Sequence, residues 1–199
     1  MNDALFSIGY ATKPLDTFLA QLNEHGVSAI ADIRSVPYSN AFFDFHGEAL
    51  QRSLREAGIR YVYLGTELGP RSKNPAHYDA TGQVQFDRLA ASALYRTGIA
   101  RLKSGLGQGF RIALMCAEKR PEVCHRSLLV GYHLMREDNL TVTHIQHDGA
   151  RLRQDELEAG LAAGDEGDLF ASVEDQLRLA IASQWQRYAY RRPATPAPP

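Results

Sequence analysis

The stretch Met115-Cys116-Ala117-Glu118-Lys119-Arg120-Pro121-Glu122-Val123-Cys124-His125-Arg126 concentrates the residue types that do chemistry, including both cysteines of the chain. Cys116 follows an apolar run that would deliver its side chain rigidly, so it is the candidate nucleophile. Pro121 suits a helix start, and Cys124 then falls in the first turn, where unpaired backbone N–H groups stabilise a thiolate. Glu118 and His125 are candidates for proton transfer. Arg126, with Arg34 from an earlier segment, can hold a carboxylate or phosphate through paired hydrogen bonds. Asp32 and Tyr10 complete the set, Tyr10 as a hydrogen-bond donor that cannot act as a base near neutral pH.

Each residue also has a structural reading. Free cysteines are common as inert core residues, and Glu118 with Arg126 can pair simply to fix a loop. His125 can sit on an exposed helix face, and His144 can be a satisfied core histidine. Asp32 can cap the turn before Pro37 with Arg34 as its partner, while Tyr10 can be ordinary packing. Zinc is discounted, because Cys116, Cys124 and His125 match no common finger spacing and adjacent helical residues point about 100° apart. No other cofactor is expected. A reversible Cys116–Cys124 disulfide is favoured over zinc. The phosphatase pattern of cysteine, five residues and arginine is missing after Cys116. Gly105-Leu106-Gly107-Gln108-Gly109 precedes a strand rather than opening a helix, so it is no nucleotide loop.

The elements that must position these residues alternate along the chain. Ala4–Ile8 reads as a buried strand stopped by Gly9, followed by a helix carrying Leu15, Phe18, Leu19 and Leu22 up to Gly26. Val27–Ile33 is a second strand, Leu50, Leu54 and Ala57 mark a helix ending at Gly58, and Ile59–Leu64 is a third strand. A long loop is expected from Gly65 to about Gly82, the kind that is usually functional or mobile. Phe86, Leu89, Ala90, Ala93 and Leu94 return to helical spacing. Phe110–Met115 is a fourth strand, Val123, Ser127, Val130 and Leu134 share a helical stripe, and Thr141–Ile145 closes the pattern. Strands separated by helices imply right-handed crossovers and an α/β fold, a mostly parallel sheet flanked by helices in a Rossmann-like three-layer arrangement. An extra C-terminal helix is expected from the stripe Phe170, Val173, Leu177, Ala180, Ile181 and Trp185. The organisation is then an α/β domain over 1–164, a packing helix over 165–190 and a disordered Pro-rich tail over 191–199. Ligands of such sheets bind beyond the carboxyl ends of the strands, where Tyr10, Asp32, Arg34, Cys116 and Glu118 would converge.

Composition narrows the function. With 199 residues and 44% apolar content the chain can build its own core. A net charge of −1 gives no global field for nucleic acid or membrane, so any anion must be bound by a local cluster. A small anionic ligand is expected, and nucleic acid stays open only through a local patch that composition does not support. No run is apolar enough to span a bilayer, and no signal peptide is evident, which points to the cytoplasm, where disulfides are rare. Oligomeric state is open.

The same motifs resemble the family catalogued as domain of unknown function 488, from Ser7 to about Gly149. The likeness rests on Ile8-Gly9, Asp32-Ile33-Arg34 with Pro37 and Ser39, Ile59 with Tyr61, Leu68-Gly69, Leu114, Cys116, Glu118, Cys124-His125-Arg126, Val142, His144 and Ile145. The family commonly reads Gly-His-Ser after the first strand, whereas this chain reads Gly9-Tyr10-Ala11. If that histidine and serine take part in chemistry, both groups are missing here. The resemblance strengthens the site and leaves the reaction open. The leading expectation is a thiol-dependent enzyme acting on a small anionic or phosphorylated, nucleotide-type substrate. The alternative is an anion-binding or redox-sensing module without turnover. A third reading has the C-terminal helix docking a protein partner.

Overall fold

Hydrophobic strands that are buried on both faces need helices on both sides, and that requirement organises the whole fold. The computed structural model describes residues 4–39, 41–163 and 172–193. Strands β1 (Leu5–Gly9), β2 (Ala29–Asp32) and β4 (Ile112–Cys116) are buried at every position, whereas β3 (Arg60–Tyr63), at one edge, is half-exposed. With β5 (Thr143–Ile145) and β6 (Arg151–Arg153) they form one sheet in the order β3-β2-β4-β1-β5-β6. All neighbours run parallel except β6, which is antiparallel to β5.

Side-chain alternation along the strands sorts the core into two halves. Phe6, Ile8, Ile30, Ala113 and Met115 face α1 (Leu15–Glu24) and α2 (Gly47–Glu56), meeting Phe18, Leu22, Leu50 and Leu54. Leu5, Ala31, Leu114 and Cys116 face the other way. There they meet α3 (Gly65–Leu68), α4 (Phe86–Ala90), α5 (Ala93–Gly107) and α6 (Tyr132–Glu137). The same period places Cys116 on the side where Cys124 and Leu128 lie.

The α/β class, the mostly parallel sheet and the C-terminal helix agree with the sequence reading. Several elements differ in extent. The helix expected over Phe86–Leu94 is two, and α5 runs on through Gly98 and Gly105 to Gly107. Gly98 persists in a helix because a β-carbon there would stand 2.6 Å from Glu67 and 2.8 Å from Leu68 of α3. The expected loop after Gly65 opens with α3 and holds a 3-10 turn at Pro75–His77. β6 and α7 (Gln154–Ala163) extend the pattern beyond Ile145.

α8 (Val173–Tyr188) packs on the domain through Ala180 and Ile181, and the Trp185 indole donates to Leu128 O at 2.8 Å. The chain after it returns to the loop before α4. Val84 N donates to Tyr190 O, and Arg192 N donates to Gly82 O, both at 2.9 Å. Phe170, the 164/165 boundary and all but the start of the expected disordered tail lie outside the described residues. No helix among the described residues is long and apolar enough to cross a membrane.

Candidate functional site

β1, β2 and β4 end side by side, with Gly9 paired to Cys116 and Asp32 paired to Met115. From this edge the site is built in two layers. The inner layer starts at Cys116, the last residue of β4. After a 3-10 turn at Pro121–Val123, Cys124 takes an extended conformation and its carbonyl accepts from Ser127 N and Leu128 N. It therefore caps the helical segment rather than lying within its first turn. A π-helical turn, Arg126–Gly131, follows before α6; such turns are frequent at functional sites.

This geometry seals the thiols together. Cys116 and Cys124 are 0% and 1% exposed, both are free, and their sulfurs are 2.7 Å apart. Cys124 Sγ donates within reach of Glu118 Oε2 at 3.1 Å, and His125 Nδ1 lies 3.7 Å from it. Burial pushes the Cys124 thiol well up, reinforced by Cys116 and Glu118. The thiolate expected there from an helix N-terminus is thus opposed by its surroundings. Arg126, 0% exposed, donates from Nη1 to Cys116 Sγ and to Glu118 O, both at 2.7 Å, and from Nη2 to Lys119 O at 3.2 Å. Burial works against its charge, yet Cys116, Cys124 and Glu118 more than restore it. Arg126 pairs with the carbonyl of Glu118 and not with its carboxylate.

Gly9 makes this possible. A β-carbon at residue 9 would lie 1.9 Å from Glu118 O and 2.6 Å from Arg126 Nη1, so only glycine lets the loop and guanidinium lie across the end of β1.

The outer layer is a pocket of about 230 Å³ lined by Tyr10, Arg34, Glu118, His125, Tyr38 and Arg71, among others. Asp32 is fully buried and accepts from Arg34 N, Arg34 Nε, Arg34 Nη2 and the Tyr61 hydroxyl. Arg34 Nη1 donates to Phe45 O at 2.7 Å and to the Tyr10 hydroxyl at 3.3 Å. Burial opposes the charge of Arg34, but Asp32 holds the guanidinium firmly protonated. Its remaining side-chain contact is with Tyr61, so the guanidinium is fully engaged by Asp32, Tyr10, Phe45 and Tyr61. Tyr10 stacks on Phe45 with ring centroids 4.3 Å apart.

His125 is buried rather than exposed on a helix face, and its Nε2 donates to Ile33 O at 3.0 Å. Burial pushes its pKa down, so it is neutral near pH 7, with Nδ1 open toward Cys124. Burial would raise the Glu118 carboxyl, but His125 and the thiol hydrogen bonds hold it below its usual range. His144 is a core residue. Its Nε2 donates to Gln154 Oε1 at 2.8 Å and its Nδ1 accepts from Ser7 Oγ at 2.6 Å.

Sequence reasoning missed three members of this neighbourhood. Arg71 lines the pocket, and no ion pair engages it among the described residues. Ser35 and Tyr38 also line the pocket. The one available signal was their location, Ser35 and Tyr38 just past β2 and Arg71 in the long loop. Lys13, buried with its ammonium on the Gln21 side-chain carbonyl, is lowered to about 8 by burial and by Arg126, but it does not line this pocket. A larger cavity of about 290 Å³ opens at the other end of the sheet, beside Ala29, Arg60, Leu102 and Ile112. It carries no thiol, histidine or carboxylate.

Cys116, Glu118 and Cys124 bring their ligand atoms within 4.8 Å of one another, a set that a metal ion could use. The Arg126 guanidinium against Cys116 places a positive charge where such an ion would sit, which weighs against it.

The fold and site define a parallel-sheet α/β protein with a carboxyl-edge pocket above a buried dithiol. Within that class, the chain belongs to the family described as domain of unknown function DUF488, whose model matches residues 14–133. No curated protein and no solved structure matches the chain.

Proposed function

We propose that this protein binds a small anionic or phosphorylated ligand in the carboxyl-edge pocket and senses oxidation through the Cys116–Cys124 pair beneath it. One observation carries the reading: the two sulfurs lie 2.7 Å apart, positioned to bridge. A ligand in the pocket meets Arg71, Tyr10, His125 and Arg34 before it meets sulfur. Arg126 supports the wall from behind and is not itself available as a clamp. Oxidation by hydrogen peroxide balances without further groups. Cys116 sulfur takes one peroxide oxygen as a sulfenic acid and water departs. Cys124 sulfur then displaces that oxygen as a second water, leaving one S–S bond.

A second reading, a thiol-dependent enzyme with Cys116 as nucleophile, is favoured by the Arg126 Nη1 contact to Cys116 Sγ and by Glu118 and His125 alongside. Alkylation of each cysteine in the intact fold, followed by mass spectrometry from pH 5 to 9, separates the two. Slow labelling of both thiols until unfolding, with peroxide removing two hydrogens in an intramolecular bridge, is the expected result. Rapid labelling of Cys116 with an apparent pKa well below about 8.5 would hand the lead to the enzyme.

A further inference from the structure

The pocket is smaller than the roughly 300–1,000 Å³ that encloses a whole drug-sized ligand, so at about 230 Å³ it takes only the compact polar part of one. The remainder must lie on its rim, and the rim is aromatic. Tyr38, which lines the pocket, is 57% exposed, and Phe43 is 70% exposed. Both rings pack on His46, with centroids 4.2 and 5.3 Å from it, and His46 Nε2 is anchored on Ser39 O. Val36, beside them on the pocket wall, is 53% exposed. Leaving these side chains in water forgoes the gain of burying them, and contiguous apolar surface next to a polar cleft marks a binding face. Aromatic faces in that position suit a flat ring, because stacking needs only a π-face.

The polar end has a matching chemistry. Arg71, its guanidinium over the Tyr190 ring, brings a charge that no carboxylate neutralises among the described residues, whereas the charge of Arg34 is already balanced by Asp32. With Ser35 on the same wall, Arg71 suits the oxygens of a phosphate. A net charge of −1 gives no field to hold a polyanion, which favours a single nucleotide over a strand.

We propose that the ligand is a nucleoside monophosphate, its phosphate held by Arg71 and the Ser35 hydroxyl and its base stacked on Tyr38 and Phe43. This rests on the anion-binding reading above and adds the substrate class to it.

The test is calorimetric titration of the full chain with adenosine 5′-monophosphate, ribose 5-phosphate, inorganic phosphate and a short single-stranded oligonucleotide. The monophosphate should bind about 5- to 150-fold more tightly than ribose 5-phosphate, the range that base–aromatic stacking supplies. The double variant Tyr38→Ala/Phe43→Ala should lose that advantage while keeping its affinity for ribose 5-phosphate. Both side chains are exposed, so the fold should survive, as its melting temperature will show. Arg71→Ala should weaken every phosphate-bearing probe. Equal affinities for the monophosphate and ribose 5-phosphate would overturn the stacking proposal and leave the anion pocket standing. Tighter binding of the oligonucleotide than of the monophosphate would overturn the single-nucleotide assignment. Binding of no probe would overturn the pocket reading itself.

Discussion

At the scale of single residues, the site depends on what is missing at position 9 as much as on what is present at 116, 124 and 126. Gly9 leaves room for the Glu118 carbonyl and the Arg126 guanidinium, and these in turn cover Cys116. Gly9→Ala should therefore cost about 3 kcal/mol or more, at the upper end of overpacking effects. It should also speed alkylation of Cys116 in the folded protein, because the cover has to move. Urea unfolding and timed labelling read the two effects separately; an unchanged midpoint with slow labelling would show that the loop relaxes around the methyl group. Arg34 teaches a related point. Its neighbour Asp32 is two residues away and was visible as its partner in the sequence. The neutralised charge of that pair then leaves Arg71, from a distant loop and packed over the Tyr190 ring, as a pocket cation without a carboxylate partner among the described residues.

At the scale of elements, a buried polar chain ties β1, β5 and α7 together: Ser7 to His144 to Gln154, whose Nε2 donates to Glu158, which accepts from Arg136. Burial pushes His144 down to about 3, with Arg126 adding to the effect. Between its ordinary value of 6.5 and that value, the unfolded chain binds a proton that the folded chain does not. Stability should therefore fall as pH drops below about 6.5, by up to about 1.4 kcal/mol per pH unit for this histidine. His125, also lowered by burial, acts in the same direction. Urea titrations at pH 7, 5.5 and 4.5 should show this slope, and His144→Gln should flatten it even if it lowers stability at pH 7. A slope identical in the variant would assign the acid sensitivity to other groups. The histidine was legible in the sequence as a strand-end core residue. Its Gln154 partner was not, because α7 follows an antiparallel strand that the alternating pattern did not announce.

At the scale of the whole molecule, α8 closes the face of the sheet on which the dithiol lies. Gln83 Nε2 donates to the carbonyls of Trp185, Gln186 and Ala189, adding to the Trp185–Leu128 bond and the buried Ile181. A chain ending at Ala163 should lose cooperative melting and bind a hydrophobic dye, because these carbonyls and apolar surfaces lose their cover. A stable, monomeric remnant would instead assign the helix to a partner.

The sequence by itself determined the alternation of buried strands and helices, and hence the parallel sheet. It also placed Gly9, Asp32 and Cys116 at the carboxyl ends of strands, because strand period and crossover handedness are local or nearly universal; that those strands are neighbours was decided by the sheet order. Only the tertiary structure decided which of the gathered groups face solvent. It turned Arg126 inward onto Cys116, brought Arg71 and Tyr38 to the pocket, and closed the two thiols on each other. Those outcomes depend on how irregular segments fold back over the strand ends, where no period links a residue to its partner and burial is set by contacts far apart in the chain.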